Sequence, residues 1–271
     1  MRPLSEMPAA TAAGIHTIFT DIDDTMTSEG RLPAEAYSAL EALKEAGLNV
    51  APITGRPGGW CDMIARFWPV DGVVGENGAF YFAYDGRTKK MRRVFSADAL
   101  ARDTNRARLA PLGAHILAEV PGTAISADQG YREADLAIDF AEDVTPLPME
   151  QVQRIKAIFE AEGGTAKISS IHVNGWFGSY DKLTMARRFA AEILSVDIDA
   201  ERERIIFCGD SPNDAPMFAH FPNACGVANV RDFAGTLEAE PRWVSEGRGG
   251  AGFAEIARRL LDARAGKRRS A

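Results

Sequence analysis

The sequence predicts an α/β protein: a doubly wound parallel sheet interrupted by an inserted α+β segment. Three observations carry this. Apolar runs of strand length alternate with amphipathic helical stretches at both ends of the chain. The alternation breaks between about 86 and 175, where hairpin and antiparallel-strand signals take over. Polar motifs of one chemical theme follow several of the apolar runs, where ligands of parallel sheets bind.

Taken in order, residues 15–20 read as a buried strand and 33–46 as a helix. Pro33 stands near the first helical position, Ala36, Leu40 and Leu43 recur at helical spacing, and Gly47 ends the run. "LNVAPI" (48–53) is a second strand, 57–68 a second helix and "VDGVVG" a third strand. "AFYFAY" and "KKMRRVF" flank Asp85-Gly86, a two-residue turn signal, and read as a β-hairpin. A helix follows over 97–119, interrupted near Pro111; then come strands near 122–127 and 134–140, a helix near 149–162 and one strand near 165–173. The α/β rhythm resumes with a helix over 181–194, the strand "RIIFCG", a helix at 213–220, the strand "ACGVA" and a closing helix near 252–264. The expected organisation is a disordered segment at 1–13, a core from 14–85 and 176–265, an insertion from 86–175 and a solvated basic tail at 266–271.

The 271 residues, 46% hydrophobic and 25% charged, are ordinary for a globular protein with ample core. A formal charge of −7 argues against a nucleic-acid partner. The odd set Cys61, Cys208 and Cys225 lacks metal-ligand spacing and fits reduced thiols. No stretch has the length of a membrane span, and the first residues lack a signal-peptide core, so the cytoplasm is the expected compartment. Oligomeric state is not legible.

The chemistry starts at "IFTDIDDTMT", where Asp21, Asp23 and Asp24 crowd the end of a strand. Two unit charges about 4 Å apart repel by roughly 4 kcal/mol at an effective dielectric near 20. Taken alone, Asp21 and Asp23 read as a cap or turn; past a strand end, one side chain and a neighbouring carbonyl can also converge on a metal, and Asp210 in "FCGDSPND" can supply a second carboxylate. Hard oxygen donors without a His or Cys cluster suit Mg²⁺. Thr54 in "PITGRP" serves either as a helix N-cap or as a phosphate donor. Lys182 in "SYDKLT" opposes a helix macrodipole at a cost of about 0.3–1 kcal/mol, and reads either as a solvated surface lysine or as the positive clamp that a transferring phosphoryl group needs.

Together, "DIDDT", "TGR", "DK" and "GDSPND" resemble the four motifs of haloacid dehalogenase superfamily phosphohydrolases. With "VVGENGA" leading into the insertion, the chain is similar to the Cof-type (IIB) subfamily, which includes sucrose-phosphate and mannosyl-3-phosphoglycerate phosphatases. The resemblance implies a Rossmann-like core with an inserted α+β cap. It also implies a Mg²⁺-dependent phosphatase acting on a small phosphate ester, with a phosphomutase as the nearest alternative and a phospho-receiver or metabolite-binding protein as a remote one. By the same resemblance Asp21 is the nucleophile and Asp23 the acid–base. Thr54 and Lys182 hold the phosphoryl group. Asp21, Asp210 and the Asp23 carbonyl bind the metal, and Asn213 and Asp214 support Lys182 or metal-bound water. Two positions depart from the family: Asp24 and Leu183 stand where Gly is usual. The cap is expected to read the leaving group. Arg56, His172 and Asn174 are its candidate contacts, Arg132 reads as an exposed arginine, and Trp176 and Tyr180 read as hinge packing.

Overall fold

The computed structural model describes residues 1–269. Its centre is a six-stranded, wholly parallel sheet of β1 (Arg2–Pro3), β13 (Trp243–Val244), β12 (Cys225–Gly226), β11 (Ile205–Gly209), β2 (Thr17–Thr20) and β3 (Asn49–Pro52), in that spatial order. Side chains alternate across a strand, so neighbours in sequence enter opposite layers. Ile18, Val50 and Ile206 pack with α2 (Ala34–Glu45) and α8 (Gly249–Arg269), while Phe19, Ala51 and Phe207 pack with α6 (Lys182–Phe189) and α7 (Ala215–His220). Helices thus cover both faces, the doubly wound arrangement expected.

One parallel bridge, Ile53 to Val74, joins β3 to a three-stranded sheet of β4 (Val73–Gly75), β5 (Phe80–Asp85) and β6 (Lys90–Phe95). α3 (Gly58–Phe67) lays Cys61, Ile64 and Ala65 against Val73, Phe80 and Phe82. The insertion forms an antiparallel sheet in the order β7 (Ala124–Ile125), β8 (Leu136–Asp139), β10 (His172–Trp176), β9 (Thr165–Ile168). α4 (Ala99–Glu119) and α5 (Met149–Ala161) close a separate apolar core over it, with Ile116, Ile138, Ile155, Phe159 and Val173 fully buried.

Several expectations need correction. Residues 2–14 are ordered: β1 pairs with β13, and Leu4, Met7 and Ala12, the last in α1 (Ala9–Gly14), enter the core. The apolar positions there are too sparse for a periodic signal. The hairpin turn is not a two-residue Asp-Gly turn. Asp85 and Lys90 close the ladder around residues 86–89, and the Asp85 carboxylate accepts from the N–H groups of Arg87 and Thr88. α4 runs through Pro111, because Leu109, Leu112 and Ile116 bury on the insertion's core and hold both sides of the missing N–H. The strand expected at 165–173 is two strands, β9 and β10, reversed at Ser169–Ile171, where Ser169 accepts from the N–H of His172. Of the residues expected as a basic tail, 266–269 continue the α8 backbone and 270–271 lie outside the described residues. Cys61, Cys208 and Cys225 are buried and unbridged. No described helix is long and apolar enough to cross a membrane.

Candidate active site

The parallel strands deliver their polar residues to one edge. Asp21 follows β2 and continues the ladder by donating its N–H to the Cys208 carbonyl at 2.8 Å; Asp210 follows β11 and Thr54 follows β3. Lys182 opens α6, with Asp181 as the N-cap accepting from the Thr184 N–H. Its Nζ donates to Asp21 Oδ1 at 3.1 Å and Asp214 Oδ1 at 2.8 Å, and all three side chains are buried. Gly78 makes this placement possible: at φ 105°, an added Cβ would stand 2.0 Å from the Asp181 carbonyl oxygen. Gly209 does the same for Asp214, whose Oδ2 would lie 2.4 Å from a Cβ there. That oxygen accepts the N–H groups of Asp210 and Ser211, at 3.0 and 3.3 Å.

Asp21, Asp210 and Asp214 offer oxygens within 4.8 Å of one another. Asp214 has committed both of its oxygens, and Asp210 Oδ1 takes the Thr25 hydroxyl at 2.8 Å. Asp210 Oδ2 is buried without a partner. A buried carboxylate oxygen with no donor is costly, and a hard cation bound by Asp21 and Asp210 would relieve it. The donor set therefore fits Mg²⁺. Burial pushes the Asp21 carboxyl up to about 7, with Lys182 pulling down and Asp214 and Asp23 pushing further up. Burial, then Asp214 and Asp21, raise Asp210 well above the carboxylate range. Burial pulls Lys182 down, but Asp21 and Asp214 reverse this and raise it above the usual lysine value.

A second cluster spans the seam between core and insertion. Arg56, only 4% exposed, grips both oxygens of Asp23 through Nε and one through Nη2, at 2.8–3.0 Å. The same guanidinium reaches Glu142 at 2.7 Å and Asp128 at 3.4 Å on the insertion, and lies over the Trp60 ring. His172 Nε2 stands 2.9 Å from Glu142 Oε2. Against the upward push of burial, His172 and Arg56 pull the Glu142 carboxyl down to about 2. Arg132 is not exposed: its side chain is fully buried, paired with Asp128 and Asp135, and donates to the Gly55 carbonyl at 2.9 Å. Asn174 donates to Asp135 at 2.9 Å and, with Asn77, flanks Gly55.

The structure thus brings together Asp21, Lys182, Asp210 and Asp214, and separately Asp23, Arg56 and His172. Thr54 does not cap α3, whose N-cap is Pro57; its Oγ1 accepts the Arg56 N–H at 3.0 Å, leaving the hydroxyl proton free to donate. Asn213 accepts from Ser211 Oγ, so Asp214 alone of that pair touches Lys182. Asp24 adopts φ 54°, a left-handed backbone that Gly takes up without strain. Trp176 and Tyr180 stack at 5.2 Å between ring centroids. Sequence reasoning missed Glu76, Asp128, Asp135 and Glu142. Glu76 had one signal, a carboxylate directly behind the apolar "VVG".

Residues 18–105 match the haloacid dehalogenase-like hydrolase family model. A search of curated proteins by sequence gives no match. Solved structures share the fold at low identity. A Thermoplasma acidophilum protein matches at 18% identity and TM-score 0.66, over 91% of this chain and 98% of that one. A phosphatase of the haloalkanoate enzyme superfamily from Bacteroides thetaiotaomicron matches at 17% and 0.57, over 96% and 99%. The sucrose-phosphatase of a Synechocystis species, in complex with sucrose and phosphate, matches at 14% and 0.60, over 90% and 97%. Over residues 18–105 the chain is thus similar to haloacid dehalogenase-like hydrolases, and it shares the fold of these solved structures, with its polar motifs at the strand ends.

Proposed function

We propose that the protein is a Mg²⁺-dependent cytoplasmic phosphatase. Its substrate would be a small phosphorylated metabolite, a sugar phosphate or sugar-acid phosphate, and the phosphoryl group would pass through Asp21. The observation that carries this is Asp21 buried against Lys182 beside Asp210, whose Oδ2 has no partner. The solved sucrose-phosphatase structure, with sucrose and phosphate bound in the same fold, supports the sugar-phosphate reading.

An Asp21 oxygen attacks phosphorus and the bond from phosphorus to the alcohol oxygen breaks. Asp23 gives that oxygen its proton. Both Asp23 oxygens face Arg56, so this fork must open first. Water then attacks the phosphorus of the acyl phosphate, passing a proton to Asp23, and the bond to Asp21 breaks to release inorganic phosphate. Lys182 has three donors, two of them used by Asp21 and Asp214, and the third serves a phosphoryl oxygen together with the Thr54 hydroxyl. Asp21, Asp210 and the Asp23 carbonyl would hold Mg²⁺, which supplies positive charge to the phosphoryl oxygens. The separately packed part of the insertion, from α4 to β10, would serve as the cap, with its Glu142 and His172, and Arg56 of the core, closest to the leaving group.

Hydrolysis of p-nitrophenyl phosphate by the purified protein tests the reading. Activity should require Mg²⁺, vanish with chelator and return when Mg²⁺ is restored. Full activity after exhaustive chelation would rule the metal-dependent mechanism out.

A further inference from the structure

Glu76 lies outside the four motifs, yet the backbone bends awkwardly to place it. Glu76 and Asn77 both adopt left-handed backbone, at φ 44° and 53°. Such conformations are uncommon for residues other than Gly and persist where the surroundings over-determine them. Fully buried, the Glu76 carboxylate accepts four backbone N–H groups. Gly58 donates from the core at 3.0 Å, and Glu133, Ala134 and Asp135 donate from the insertion at 2.8, 2.7 and 3.2 Å. Burial, with Asp135 nearby, pushes this carboxyl up to about 8, while the four N–H donors are the contacts that the carboxylate form accepts in full.

The same two residues also hold the loop behind Thr54. The Glu76 N–H donates to the Arg56 carbonyl at 3.1 Å, and the Asn77 N–H to the Thr54 carbonyl at 3.0 Å. From the insertion, Arg132 donates to the Gly55 carbonyl. Loop 54–58 is therefore tied to the core backbone and to the insertion through neighbouring atoms of one short segment.

We propose that Glu76 is a positioning residue that couples the seating of insertion residues 133–135 to the geometry of loop 54–58, so that phosphate binding and cap docking form one linked equilibrium. This rests on the phosphatase reading, in which that loop holds phosphate. Coupling is reciprocal: whatever factor phosphate gains from a docked insertion, the insertion gains from bound phosphate. Glu76→Gln is nearly isosteric but turns an NH₂ group toward N–H donors, so it cuts the link while leaving the side-chain volume in place.

The test is amide hydrogen exchange on the full chain with Mg²⁺, titrated with inorganic phosphate, alongside phosphate inhibition of p-nitrophenyl phosphate hydrolysis. In the wild type, phosphate should slow exchange at 54–58 and at 133–135 with one midpoint. In Glu76→Gln, the inhibition constant for phosphate should rise about tenfold and protection at 133–135 should disappear. Glu76→Asp keeps the charge on a shorter arm and should fall between the two; it carries the test if the Gln variant does not fold. Phosphate-dependent protection of 133–135 retained at the wild-type midpoint, with an unchanged inhibition constant, would overturn the coupling and leave Glu76 a purely structural residue. A wild type that hydrolyses no aryl phosphate in Mg²⁺ would overturn the phosphatase reading, and the coupling with it.

Discussion

The floor of the site and the seam above it are both crowded with buried carboxylates, and they differ in what faces those carboxylates. In the seam, Asp128 and Asp135 meet the Arg132 fork, Asp23 and Glu142 meet Arg56, and Glu76 meets four N–H groups. On the floor, a single lysine serves Asp21 and Asp214, and Asp210 keeps one oxygen with no donor. Crowded acid groups alone therefore do not mark a ligand site. The unfilled acceptor does, because burial makes it expensive unless something cationic arrives.

The largest expected effect falls on the floor. Asp21→Asn should lower kcat for p-nitrophenyl phosphate by about 10⁴-fold or more while a thermal melt shows an intact fold. Near-normal turnover in the folded variant would remove Asp21 from the chemistry. In the seam the effect should be on stability. Arg132→Met leaves Asp128 and Asp135 buried without their cation, and urea unfolding should show a loss of about 3–5 kcal/mol. A loss within experimental error would mean the seam's pairing contributes nothing.

Glu142 sharpens the contrast through pH. Its carboxyl is drawn down to about 2 from an ordinary 4.5, so its contribution is present above pH 4.5 and is lost as pH falls toward 2. Glu142→Gln should therefore destabilise the protein at neutral pH, by about 2 kcal/mol given its partial exposure. The gap between variant and wild type should close as the acid limb is descended. A gap that is constant across that limb would locate the effect in packing instead. The smallest effect has the opposite sign. Asp210→Asn removes a charge from a site with too few donors, and without Mg²⁺ it should raise stability by about 1 kcal/mol. That is roughly 2–4 °C in the melt for a chain of this size. It should also abolish the further rise that Mg²⁺ gives the wild type. Unchanged Mg²⁺ stabilisation would separate Asp210 from the metal.

What the sequence disclosed divides along the same line. The strand- and helix-end positions of Asp21, Thr54, Lys182 and Asp210 were legible because each depends on local structure, whatever the rest of the chain does. Arg132 and Glu142 were not legible, since a buried arginine has the same local sequence signature as an exposed one until its acid partners and the Gly55 carbonyl are brought in by docking of the insertion. Pro111 misled for a related reason: the local penalty was read correctly, but packing of Leu112 and Ile116 outweighed it. The β9–β10 reversal hid inside one apolar-polar alternation because three residues, Ser169–Ile171, suffice to turn the chain.

The pairing of β1 with β13 has a consequence for synthesis. Arg2 meets Trp243, and Leu4 and Met7 bury in a cluster with Phe253 and Leu260. At translation rates of about 5–20 residues per second, the partners of residues 2–7 emerge roughly 10–50 s after those residues do. Through that interval Leu4 and Met7 lack Phe253 and Leu260, and the final edge of the sheet has not been made. The early strands β2 and β3 acquire β11 between them and that edge only after the whole insertion has been made. The β1 edge of the sheet is therefore completed only when residues 243–260 have been made.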